Sequence, residues 1–303
     1  MENLSDIAVF VRVVQSGSFT AAAERLQLSR SVVSKYISRL EEQLNARLLN
    51  RTTRQLSLTE VGKVFYEHAR RGLQEIEEAE SELTRLQGKP RGILRINTPM
   101  SFGILHIASL LPGFQKMYPE IFVDMALDDR KVDVIEEGFD ISVRITVNLP
   151  DSTLIAKKIA PCKHAIVATP DYLKTYGTPV SPAQLSQHKI LTYQHQDHAT
   201  EWQLINTKGD TVSVPLTSNL QMNNSLALKE ALLGHMGIAR MPTFIVGNEI
   251  QDGRLTTLFN DFEILEASIY LLYPQRRYLS TKVKAFIDYF SEQISETPYW
   301  DSN

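Results

Sequence analysis

Six side chains in one short stretch have the types and spacing to hold a polyanion. They are Ser29, Arg30, Ser31, Ser34, Lys35 and Ser38, in the segment LSRSVVSKYISRL. If residues 30–44 are helical, Ser31, Ser34, Lys35 and Ser38 are spaced by 3, 1 and 3 and share a face. That face is small, polar and cationic, with no carboxylate. Val33, Ile37, Leu40 and Leu44 are spaced by 4, 3 and 4 and form the opposite, apolar face. Small hydroxyls let a helix backbone come close to base edges and phosphates, and they bond to either. Ser29 has the chemistry of an N-cap, which aims free N–H groups at a phosphate. Arg30 and Lys35 supply the charge that phosphate contact needs.

The elements needed to present this face are also legible. Ala22, Ala23 and Leu26 give a short preceding helix one apolar stripe. Gln27-Leu28-Ser29 is a turn, with Leu28 expected to be buried. Two short helices joined by a three- to four-residue turn make a helix-turn-helix, whose second helix enters the major groove. A Ser-rich amphipathic helix can also be merely solvated, but the following segment favours contact with DNA. In RLLNRTTRQLSL, Leu48-Leu49 and Leu56–Leu58 read as two strands around a turn at 52–54. The hairpin is a wing that carries Arg51 and Arg54 near its tip, within reach of the sugar-phosphate backbone or the minor groove. Residues 25–54 hold seven cations against two carboxylates, in a chain whose net charge is −3.

Other reactive groups are sparse. GxSxG, GxGxxG and GxxxxGK[ST] are absent, and no catalytic residue or metal ligand is assigned. His188, His195, Asp197 and His198 lie close together without helical or CxxC spacing, which suits a surface loop better than a metal site. Cys162, beside Lys163 and His164, is either a redox-sensitive thiol or a half-buried strand residue. Arg276-Arg277 falls between a strand and a helix near the C-terminus, where a solvated or interface role is expected.

A first helix is expected over 6–15. A long one follows the wing over 60–87, with Thr59 as N-cap. Phe65, Ala69, Leu73, Ile76, Ala79, Leu83 and Leu86 form its stripe. At 1.5 Å per residue it would be about 40 Å long. That is too long to bury the stripe within one small domain, so a second chain is expected against it. Its own wing domain should cover only the first turn or two. Gly88 to Gly92 then breaks the helix. Beyond it, short strands alternate with helices: strands at 93–97, 121–127, 141–145, 164–169, 190–193 and 237–241, and helices at 104–118 (broken near Pro112), 131–137, 171–176 and 225–233. A final strand and amphipathic helix close the chain. This alternation predicts α/β layers around a parallel sheet.

The segment LSDIAVFVRVVQSGSFTAAAERLQLSRSVVSKYISRLEEQLNARLLNRTTRQLSLTEVG resembles the DNA-binding half of LysR-type transcriptional regulators. LLPGFQKMYP, DDRKVDVIEEGFDISVRI, VATPDYLKTYGTPVSPAQL, LLGHMGIARMP, DGRLTTLF and YPQRRYLSTKVKAFIDYF resemble the effector-binding half. The family often has arginine where this chain has Lys35, and a point charge replaces a bidentate fork there. The resemblance implies an α+β multidomain chain: a winged helix-turn-helix (1–58), a dimerising linker helix (59–89) and a two-lobed α/β effector domain like a periplasmic binding protein (90–303). Lobe I would comprise 90–161 and 266–303, and lobe II 162–265.

The effector should bind between the lobes, outside the carboxyl ends of the parallel strands. The turn Asn97-Thr98-Pro99, with Ser101 and Phe102 opening a helix, offers hydroxyls and N–H groups to an anion. Matching family positions imply that this turn and the segment around Asn223 and Ser225 line the pocket. Arg144 either meets the ligand or ties the structure together. The expected ligand is a small anionic metabolite of unknown identity, with no cofactor.

The resemblance further implies a homodimer on an inverted-repeat operator, a tetramer of two such dimers, and contact with RNA polymerase. The expected location is the cytoplasm, because the N-terminus lacks a basic signal-peptide region, no stretch is long enough for a membrane span and one cysteine suits a reducing compartment. The competing reading is a cytoplasmic solute-binding protein or enzyme with an N-terminal assembly domain. The basic face disfavours it, as does the absence of a signal peptide and of a catalytic constellation.

Overall fold

A computed structural model describes residues 2–301 except 52–55, 88, 131, 150–151, 196–200, 265, 276–278 and 295–297. The chain divides into two compact units, the first built mainly from residues 1–90 and the second from most of the remainder.

The first unit is a three-helix core with a wing. Helices α1 (Glu2–Ser16), α2 (Phe19–Leu26) and α3 (Arg30–Gln43) bury Phe10, Val13, Ala22, Val33, Ile37 and Leu40. Ser18 caps α2 by accepting the N–H of Thr20 at 3.2 Å, and Gln27 ends it in the left-handed region at φ 55°. The fully buried Asp6 carboxylate takes two bonds from the Arg39 guanidinium, the Nε bond at 2.7 Å, and so fastens α1 to α3. Two sequence expectations fail here. Leu28 is exposed because the turn points it outward. Leu44 is exposed because α3 ends at Gln43, which cuts the apolar stripe at Leu40.

Strands β1 (Leu49–Arg51) and β2 (Leu56–Leu58) pair antiparallel, with Leu49 opposite Leu58. Glu41 Oε1 accepts the N–H groups of Leu48 and Leu49 at 2.8 and 3.1 Å and fixes the start of the wing to α3. Helix α4 (Glu60–Gln87) begins where Thr59 accepts the Gly62 N–H at 2.9 Å. A Cβ on Gly62 would lie 2.0 Å from the Leu48 carbonyl oxygen, so only glycine lets α4 approach the wing this closely. Phe65, Tyr66, Ala69 and Leu73 all pack on the three-helix core. The domain therefore covers about four turns of α4, not the one or two expected.

The second unit contains two five-stranded sheets. The first sheet begins with β3 (Gly92–Thr98). Helix α5 (Met100–Phe102) follows, then a π-helical turn (Gly103–Ile107) and α6 (Ala108–Met117). Pro112 lies inside α6 and does not break it. The register slip at the π-turn, where Ala108 N–H bonds back to Gly103, moves the hydrogen-bond ladder upstream of the proline. Strands β4 (Ile121–Leu127), β5 (Ile141–Thr146) and β6 (Leu154–Cys162) come next. Of the helix expected over 131–137, the described residues 132–137 form none. Val132 and Val134 are buried on either side of exposed Asp133, an extended rather than helical period, and a turn closes at Gly138 with φ 72°.

The second sheet and the elements around it follow as β7 (His164–Ala168), α7 (Pro170–Tyr176), β8 (Ile190–Tyr193), β9 (Glu201–Ile205), β10 (Thr211–Pro215), β11 (Ser218–Met222), α8 (Ser225–Leu233), β12 (Ile238–Pro242), α9 (Thr243–Gln251), β13 (Thr256–Leu258) and β14 (Glu263–Ile264). The chain then returns through β15 (Ala267–Pro274) and α10 (Thr281–Gln293).

The first sheet has the order β4-β3-β5-β15-β6, and the second β11-β8-β12-β7-β13. Each is mixed rather than parallel. β15 runs antiparallel to β5 and β6, and β7 runs antiparallel to β12 and β13. The chain thus passes between sheets after Cys162 and again before Ala267. Strands β9, β10 and β14 form a third small sheet that buries Trp202, Leu204 and Val214.

Candidate nucleic-acid interface and effector cleft

Helix α3 presents the expected polar face, with detail that spacing alone did not give. Ser29, Arg30, Ser31, Lys35 and Ser38 are exposed, whereas Ser34 is half-buried at the edge of the face. Ser29 caps the helix, accepting the Val32 N–H at 3.3 Å, and its hydroxyl lies 2.8 Å from that of Ser31. Arg39 counts toward the local charge, but its guanidinium is held by Asp6 and lies 5.0 Å from the Tyr36 ring centroid. The side chain of Arg51 and the whole of Arg54 fall outside the described residues.

In the second unit the carboxyl ends of β3 and β4 meet the first turn of α8. Thr98 and Ser101 are buried at this junction. Phe102 is buried completely against His106, Phe244, Phe290 and Trp300. It is a core residue, and the expectation that it lines a pocket is corrected: the helix that starts at Met100 turns its third residue inward. Ser225 is buried at the start of α8, and Asn223 is exposed. Its neighbour Asn224 does the structural work. It accepts the N–H groups of Leu226 and Ala227, both at 3.0 Å, and its amide reaches Met100 Sδ at 3.0 Å across the junction.

Two further residues were missed. Asp129 accepts the Met100 N–H at 2.9 Å, so this amide is already paired. The same carboxylate bonds the Tyr193 hydroxyl at the end of β8, and that contact together with burial raises the tyrosine pKa. No motif marks Asp129, because its role depends on β4 and β8 ending together. Arg144 donates to the Val132 carbonyl at 2.6 Å. Burial lowers its pKa, and Asp133 offsets this only in part.

Farther back, His106 Nε2 donates to the Phe244 carbonyl at 3.0 Å, and Nδ1 lies 2.5 Å from the Tyr299 hydroxyl. The carbonyl can only accept, so Nε2 carries the proton and Nδ1 accepts from tyrosine. Burial lowers the pKa of this imidazole.

Cys162 is buried, and burial raises its thiol pKa, away from thiolate chemistry. Its neighbour His164, with a pKa pushed down to about 4 by burial, is neutral near pH 7 and offers the thiol no charge. His188 pairs with the Tyr172 hydroxyl at 3.4 Å, and His195 is exposed. Asp197, His198, Arg276 and Arg277 lie outside the described residues. Among the described residues no helix is long and apolar enough to cross a membrane.

A winged helix-turn-helix with a carboxylate-free recognition face, followed by a two-sheet α/β unit with a seam between its sheets, defines an effector-binding, DNA-binding transcriptional regulator. Residues 4–63 match the bacterial regulatory helix-turn-helix model of the lysR family, and residues 87–295 match the LysR substrate binding domain. The chain belongs to the LysR family of transcriptional regulators. It is 34% identical to an uncharacterized HTH-type transcriptional regulator of Haemophilus influenzae, over 93% of this chain and 98% of that protein. It is 35% identical to the HTH-type transcriptional regulator PtxR of Pseudomonas aeruginosa, over 98% and 95%. Among solved structures, the full-length virulence activator AphB of Vibrio cholerae is similar with a TM-score of 0.66 and 30% identity, over 95% of this chain and 98% of that one. These relatives bear the names of transcriptional regulators or activators.

Proposed function

We propose that the chain works as a homodimer paired through α4, seated on an inverted-repeat operator, with two dimers forming a tetramer that contacts RNA polymerase. Support for pairing is Ile76 of α4, which is 40% exposed about one turn beyond Leu73, a stripe residue that packs on the core of its own domain. A two-fold dimer with one recognition helix per chain requires two half-sites about one helical turn apart, or a multiple of it. The observation that carries the DNA assignment is the exposed Ser29, Arg30, Ser31, Lys35 and Ser38 face of α3.

The effector is proposed to be a small anion that enters the seam at Thr98, Ser101, Asn223 and Ser225. The half-buried Arg144 charge, desolvated and only partly offset by Asp133, favours an anion nearby. An anion at Met100 N–H must displace Asp129, which would also release Tyr193. A ligand that also engages Asn224, the other anchor of Met100, would shift the balance between two arrangements of the lobes.

The test is selection of binding sites by the full chain from random duplexes, with thermal-shift screening of small carboxylates. The expected results are an enriched inverted repeat and a carboxylate whose stabilisation falls in Ser101→Ala. A single unrepeated site would refute the dimer reading, and equal stabilisation of both proteins would refute the seam.

A further inference from the structure

The recognition face of α3 holds an apolar group that phosphate contact does not use. Val32, in the first turn of the helix, is 37% exposed, and Leu28, four residues earlier, is 36% exposed. Val32 is not a slipped core residue: Val33 fills the core with no exposure, and successive helix positions are about 100° apart. By the same rotation Val32 lies about 60° from exposed Lys35 and about 100° from exposed Ser31, at the edge of the polar face of α3.

The hydroxyls at this end of the helix are largely engaged already. Ser29 accepts the Val32 N–H, and Ser31 is bonded to Ser29. The first residues of a recognition helix are the ones that reach base edges. An apolar side chain there gains only by covering an apolar group. Among the base edges of the major groove, the thymine 5-methyl is that group.

We propose that Val32, with Leu28 beside it, recognises the 5-methyl group of one thymine in each operator half-site. The inference rests on α3 lying in the major groove, and its test separates the two claims. Sites selected by the full chain are resynthesised with each thymine in turn replaced by deoxyuridine, which removes only the methyl. Affinity is then measured for the wild type and Val32→Ala, with thermal melting as the check on folding and the isosteric Val32→Thr as a second variant.

For the wild type, one deoxyuridine in a single half-site should weaken binding about fourfold, the value of one buried methyl. Substitution in both half-sites should weaken it about fifteenfold. Val32→Ala should lose affinity for the thymine site and become indifferent to the same deoxyuridine, and Val32→Thr should fall between. Tolerance of deoxyuridine at every position would overturn the inference, and so would a sensitive thymine that stays equally sensitive in Val32→Ala. If Lys35→Ala leaves operator and random-duplex binding unchanged as well, the placement of α3 in the groove falls too.

Discussion

Replacing Ile76 by aspartate should split the α4 dimer while leaving the winged helix folded. The stripe of α4 divides in function at Leu73. Phe65, Ala69 and Leu73 pack on the core of their own domain, and Ile76 is 40% exposed one turn later. Burying a whole isoleucine is worth about 1.5–3 kcal/mol, so covering the exposed two-fifths of Ile76 on both chains is worth roughly 1–2.5 kcal/mol in all. Each introduced carboxylate must also be desolvated without a partner, at several kcal/mol more, unless it is protonated. Four kcal/mol alone is about a thousandfold in dissociation constant. Sedimentation equilibrium of residues 1–89, whose buried core lies between Ile7 and Leu73, is the assay. The wild-type fragment should be dimeric and Ile76→Asp monomeric with an unchanged melting temperature. Leu73→Asp should lower the melting temperature as well, because that side chain serves its own domain. An Ile76→Asp fragment that still sediments as the wild-type dimer would refute pairing through this stripe.

Lys35→Ala should weaken operator binding, and the ratio of operator to random-duplex affinity shows its role: a falling ratio means a base contact, a constant one phosphate alone. Gly62→Ala should lower the melting temperature of the same fragment, since the added Cβ meets the Leu48 carbonyl at 2.0 Å and the overpacking cost of about 1–3 kcal/mol outweighs the gain in helix propensity; an unchanged or raised melting temperature would refute the close approach. His106 has a folded-state pKa below that of the unfolded chain, so it contributes stability above about pH 6.5 that is lost as pH falls toward the folded value. Full-chain melting should therefore drop between pH 7.5 and 5.5. The drop should be smaller in His106→Gln, which keeps a donor for the Phe244 carbonyl, and equal drops would show that the imidazole titrates alike in the folded and unfolded states.

The DNA-binding half was legible because each of its features is local. An N-cap at Ser29, the 4-3 apolar spacing of Val33, Ile37 and Leu40 and a Thr59 cap each declare themselves within a few residues, and the structure places them where spacing did. Leu28 and Leu44 were misjudged for the same reason in reverse: a turn and a helix end expose side chains that periodicity would bury. The seam between the sheets was much less legible. Asp129 and Tyr193 are 64 residues apart, Asn224 and Met100 are 124 apart, and neither pair leaves a pattern in a window of ten. The small β9-β10-β14 sheet was missed although Trp202 and Leu204, like Val212 and Val214, alternate with a strand period. The intervening Asn206 to Asp210 turn made the stretch look like a loop.

The bonds across the seam also limit how an effector can act. Met100 lies between two anchors, its N–H on Asp129 and its sulfur on the Asn224 amide. Asn224 in turn holds the first turn of α8. A ligand that displaced only the Asp129 contact would replace one carboxylate with another and change little. A ligand that also accepted from Asn224 Nδ2 would break the tie to α5, while Oδ1 goes on capping α8. Only the second kind has different contacts in the two arrangements, and a differential contact is what shifts a population. The effector should therefore be long enough to reach from Met100 N–H to Asn224, and Asn224→Ala should weaken the response to it more than Asn223→Ala does. Equal responses in the two variants would place the ligand elsewhere.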